Sequence, residues 1–140
     1  MDAKSYIKEM YCEPLDKADF FKAEEGLARI LELMEDEGVA KNKIESFKQR
    51  GLARITNHAR ALMESGIERS ASDAGVAYSR YKSKKISSMA ALASIERALA
   101  ILYLDGNMEG YNEIMDYKKE IEAELKASKA HEHDTTIILS

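Results

Sequence analysis

One cysteine, Cys12, and one proline, Pro14, are all that 140 residues contain of either. A lone thiol excludes an intramolecular disulfide framework and a four-thiolate zinc site. A single proline, seven glycines and no tryptophan leave too little turn chemistry for a sandwich or barrel of many short strands. Long apolar runs are missing as well. The most hydrophobic stretch, Met89 to Leu104, carries Glu96 and Arg97 in its middle and falls short of the roughly 20 residues that a membrane helix needs. The start, Met1-Asp2-Ala3-Lys4-Ser5-Tyr6, has no apolar core of the kind a signal peptide needs. The expectation is a cytoplasmic protein with a reduced Cys12 and no membrane contact.

Recognisable chemistry is equally sparse. No Glu-x-x-His pair occurs on any predicted helix, which removes the usual di-iron carboxylate signature. Glycine-rich phosphate loops are absent. Cys12 has no histidine partner in view and reads as a small apolar residue. His58 lies at the margin of the apolar face of its predicted helix and reads as a half-buried, satisfied histidine. The pair in His131-Glu132-His133-Asp134 has no third ligand fixed by spacing and reads as part of a solvated tail. The sequence therefore predicts no catalytic residues, no metal site, no cofactor and no small-molecule substrate.

What the chain does contain is apolar residues at helical spacing. An all-α, single-domain bundle of four to five helices is expected over residues 1–130, followed by a short C-terminal tail, 131–140. A first segment runs from Ser5 to Tyr11. A second helix, about Pro14 to Glu37, carries Phe20, Ala23, Leu27, Ile30, Leu31 and Met34 on one stripe and ends at Gly38. A third, about Lys41 to Ser65, presents Ile44, Phe47, Gly51, Leu52, Ile55, Ala59 and Leu62 and is closed by Gly66. Ser70, Ser72 and Asp73 signal a new helix start. Beyond it, Ile86 to Leu104 is apolar nearly all round, the mark of a central helix. Whether 72–104 forms one helix or two is open at this stage. Asn107 is a good N-cap for a last helix reaching about Lys129, with Ile114, Tyr117, Ile121 and Leu125 as its stripe. An apolar segment like 86–104 also suggests a homo-oligomer to cover it. One internal echo is present: Phe21-Lys22 then Gly26-Leu27-Ala28-Arg29-Ile30, and Phe47-Lys48 then Gly51-Leu52-Ala53-Arg54-Ile55.

Charge is divided along the chain. Residues 1–40 hold five Lys/Arg against eleven Asp/Glu, residues 41–85 eleven against four, and residues 86–140 five against ten. The basic middle supports two readings. In the first, Lys43, Arg50 and Arg54, within about 40° of one another on a helix, join Tyr78, Arg80, Tyr81, Lys82, Lys84 and Lys85 to bind nucleic-acid backbone or an acidic partner surface. In the second, the cations pair internally with the acidic flanks and set the topology, the chain being a structural or protein-binding adaptor. Its tail residues Ile137, Ile138 and Leu139, apolar and largely β-branched, would then dock a partner. The first reading, which is preferred, makes the protein a non-catalytic accessory or interaction subunit; the second is of a different class.

Overall fold

The computed structural model of the chain describes the backbone of residues 3–65 and 72–139, and the side chains of 3–65 and 72–128. The fold is all-α, and among the described residues there is no strand. Helix α1 (Ala3–Tyr6) passes into a π-helical segment, Ile7–Cys12, and then into α2 (Glu13–Asp16). Five longer helices follow: α3 (Phe20–Asp36), α4 (Lys41–Ser65), α5 (Ser72–Lys82), α6 (Ser88–Asp105) and α7 (Met108–Leu139).

The helices outnumber the four to five expected because the predicted helix from Pro14 to Glu37 is interrupted and the region 72–104, left open by the sequence, divides in two. Pro14 sits in the first turn of α2 as its fixed φ favours, yet the helix stops within a turn. Ala18 adopts φ +59°. The Asp19 N–H reaches back to the Pro14 carbonyl and the Ala18 N–H to Leu15, which completes a Schellman cap. The same arrangement ends α5. Lys84 has φ +60°, with Lys85 N–H on Arg80 and Lys84 N–H on Tyr81. Residues 72–104 are therefore two helices, and α6 restarts on a Ser87 cap whose hydroxyl accepts from Ala90 N–H at 3.1 Å. Gly38 and Gly106, at φ +79° and +74°, close α3 and α6 by the same motif, as their sequence positions predict. Asn107 caps α7 by accepting from Gly110 N–H at 2.9 Å. Gly66, the expected terminator of α4, lies outside the described residues.

Helix α6 is the hub. It packs against α4, α5 and α7 and touches α3, and Ala91, Ile95, Ala98, Leu99 and Ala100 are sealed from solvent. Much of the apolar girdle is thus covered within one chain, while Met89 at its start stays 71% exposed. Helix α3 lies on α4 and on the π segment, burying Phe20, Ala23, Leu27 and Ile30. The echoed glycines mark successive close approaches. A methyl group on Gly26 would fall 1.8 Å from the Met10 carbonyl oxygen, and one on Gly51 would meet the Leu27 side chain at 2.8 Å. Tyr11 fastens the π segment across this layer by donating to the Gly51 carbonyl at 2.9 Å.

The last helix exceeds its expected end at Lys129 and runs to Leu139. The side chains of Ile137, Ile138 and Leu139, to which partner docking was assigned, lie outside the described residues, as do those of His131 and His133. Among the described residues no helix is long and apolar enough to cross a membrane.

Candidate functional site

The basic middle of the chain separates into two surfaces with different electrostatics. The first is α4. Its buried residues are Gly51, Ile55 and Ala59, so the opposite face carries Lys43, Arg50 and Arg54 into solvent, as the helical spacing predicts. Lys41, Lys48 and Arg60 are exposed on the same helix. Among the described residues none of these six cations has a carboxylate within ion-pairing distance. Arg50 bonds only the Ser46 carbonyl of its own helix, at 3.4 Å. At 1.5 Å per residue, Lys43, Arg50 and Arg54 span about 16 Å of ridge.

The second surface, at the end of α5, is closed on itself. Lys82 Nζ lies 2.9 Å from Glu120 Oε1 and 3.1 Å from Glu124 Oε1. The Tyr78 hydroxyl donates to Glu120 and the Tyr81 hydroxyl to Glu124. Partners advance in the same direction along both helices, so α5 and α7 run parallel on the flank of α6. The phenols are held above their usual range, first by these carboxylate hydrogen bonds. Lys82 is held well above its own range by the same two acids, while Glu120 and Glu124 are pushed below theirs, first by the tyrosine hydrogen bonds. Tyr78 also stacks on Tyr117, ring centroids 4.2 Å apart and planes 14° from parallel.

Tyr78, Tyr81 and Lys82 are committed to α7, so they do not form an open stacking and phosphate-binding strip. Arg80, Lys84 and Lys85 remain exposed and have no ion pair among the described residues. The fold does not bring them onto the Lys43–Arg54 ridge: α4 and α5 both pack on α6, with few contacts to each other. His58, expected to be half-buried, is exposed, its Nδ1 3.0 Å from the Arg54 carbonyl oxygen.

Sequence reasoning missed Lys118. It is 2% exposed, in the core between α7 and α6. Its Nζ stands 4.0 Å from Glu96 Oε1 and has no hydrogen-bond partner among the described residues. Burial pushes the amine below its usual value, against the opposing pull of Glu96, and burial likewise pushes the Glu96 carboxyl up. The signal was present: Tyr111, Ile114, Lys118, Ile121 and Leu125 keep one apolar register with a cation at its centre, and Glu96 interrupts the facing apolar helix. The pair stands between two cavities. Glu96 lines the larger, about 460 Å³, together with Leu15, Phe20, His58 and Leu62. Lys118 lines the smaller, about 240 Å³.

Among the described residues no group of three or more His, Cys, Asp or Glu side chains is placed to hold a metal ion. Comparison with known proteins gives no match: no family model, no curated protein and no solved structure is similar to this chain.

Proposed function

We propose that this protein is a non-catalytic helical module that binds the phosphate backbone of a nucleic acid through the ridge formed by Lys43, Arg50 and Arg54 on α4. The observation that carries this reading is the contrast between the two basic surfaces. Acids of α7 engage Lys82, Tyr78 and Tyr81 on α5, whereas Lys43, Arg50 and Arg54 lie together on one ridge of α4 with no such partner among the described residues. A face of unpaired cations on one long helix is an electrostatic footprint for a polyanion. The acidic balance of residues 1–40 and 86–140 confines attraction to that face and argues against a general coating of nucleic acid.

The contacts of α5 support the pairing reading for that helix. Tyr78, Tyr81 and Lys82 act there as a clamp that fixes α5 against α7, and the binding residues reduce to the α4 set, with Arg80, Lys84 and Lys85 as separate outlying charges.

Fluorescence anisotropy with labelled single- and double-stranded oligonucleotides, at two salt concentrations, tests the proposal. Three phosphate contacts give a slope of log K against log salt of about −2 to −3. The triple variant Lys43→Glu, Arg50→Glu, Arg54→Glu should lose binding with an unchanged circular dichroism spectrum, since all three positions are exposed. Absence of binding at low salt would sink the proposal and turn the search toward acidic protein surfaces.

A further inference from the structure

The ridge of α4 leaves Lys118 unexplained. A cation removed from water and held 4.0 Å from its nearest carboxylate recovers little of its lost hydration, unless another anion reaches it. The smaller cavity is where one fits. Three more lysines, Lys17, Lys22 and Lys119, line it with Lys118, against the carboxylates of Asp19 and Glu122. Asp19 is the cap of α3 and accepts from Lys22 N–H at 3.4 Å, so the cavity opens at the amino end of a 17-residue helix, where the helix dipole adds positive potential. The Phe20 N–H in that turn is engaged by the Tyr111 hydroxyl and the Lys22 N–H by Asp19, which leaves the lysine side chains to hold a ligand. Each ammonium is a compact donor. A tetrahedral dianion offers an oxygen to each of the four, whereas a carboxylate offers only two.

We propose that the cavity between α7 and the start of α3 binds a small dianion of the phosphate type, with Lys118 at its buried wall and Lys17, Lys22 and Lys119, all exposed, around its mouth. The bound oxygens supply the partner that the Lys118 ammonium lacks. This site is separate from the α4 ridge and does not depend on it.

Thermal unfolding of the full chain in inorganic phosphate, with ionic strength held constant by sodium chloride, is the test. Phosphate should raise Tm saturably, by about 3 °C or more once its concentration is far above Kd. Sulfate should act similarly and chloride should not. Lys118→Met should abolish the response. If that variant fails to fold, the double variant Lys22→Ala, Lys119→Ala, changed only at exposed positions, should weaken the apparent affinity about tenfold or more. The triple glutamate variant of the α4 ridge should keep the full response, which separates failure of this site from failure of the nucleic-acid reading. No saturable shift in the unmodified chain, or an equal shift in the cavity variants, overturns the proposal.

Discussion

The hydroxyl of Tyr111 donates to the carbonyl of Ala18 at 2.9 Å, across 93 residues of sequence. It also accepts from the Phe20 N–H, so one phenol from the first turn of α7 satisfies two backbone groups of the α2–α3 turn. Ala18 is the residue there with a left-handed backbone, and the phenol holds that conformation in place. Burial, reinforced by nearby Asp19, keeps the Tyr111 hydroxyl protonated well past the usual tyrosine range.

Tyr111→Phe should therefore cost about 1–3 kcal/mol, the penalty for leaving buried donors and acceptors unpaired. Urea unfolding monitored by circular dichroism measures it. Tyr103→Phe is the control. Its hydroxyl makes a long 3.4 Å hydrogen bond to Glu24 and satisfies no buried backbone group, so the loss should be smaller.

Two glycine substitutions should move stability in opposite directions. Gly26→Ala would drive a methyl group into the Met10 carbonyl and should cost about 3 kcal/mol or more, because backbone, unlike a flexible side chain, has little room to yield. Gly75 lies inside α5 with nothing within 4 Å of the place where a Cβ would stand. Gly75→Ala should add about 0.5–1 kcal/mol through helix propensity. Paired Tm measurements decide both.

Lys84→Gly should stabilise the chain by about 0.5–1 kcal/mol. A left-handed conformation costs an L-residue roughly 1–2 kcal/mol, part of which glycine gives back in unfolded-state entropy. Lys84 is exposed and has no side-chain contact to lose. A fall in Tm would show that the α5 cap is not the strained position described here.

Lys118→Met should raise stability by about 1 kcal/mol or more near neutral pH, since it replaces a desolvated, poorly paired ammonium with an apolar chain of similar length. The sign of the pH dependence follows from the lowered amine. Between its folded value and the ordinary 10.5, the unfolded chain binds the extra proton, so stability of the unmodified protein rises with pH across that window. The advantage of the methionine variant should narrow as pH climbs through the folded value of the amine toward 10.5. A gap that stays constant would mean that the amine is not depressed. Glu96, raised by burial, contributes oppositely: its share is present below 4.5 and lost as pH rises through its folded value.

The order of the helices and the core stripes were legible because they rest on periodicity. Phe20, Ala23, Leu27 and Ile30 are buried as their spacing requires, and Gly38, Gly106 and Asn107 terminate or cap where their chemistry suits. The interruptions at Ala18 and Lys84 were not legible, because an ordinary side chain in a left-handed cap carries no compositional mark. The same holds for the π segment, which passes close to Gly26 at Met10. Counting cations showed the basic middle but not its division. Lys82 finds Glu120 and Glu124 only because α5 and α7 run side by side, 38 and 42 residues apart in sequence, and nothing local announces that register. Lys118 was readable in principle, as a cation inside an apolar series facing a helix with a half-buried acid.

The hub position of α6 carries a consequence for how the chain acquires its structure. Helices α4, α5 and α7 all pack on α6, and α5 and α4 make little contact with each other. During synthesis, the first 87 residues have no surface to close around, and only the α3–α4 hairpin with its N-terminal clip can persist locally. Assembly becomes all-or-none once residues 88–105 emerge, and truncations upstream of Asp105 should yield unfolded chains rather than smaller bundles.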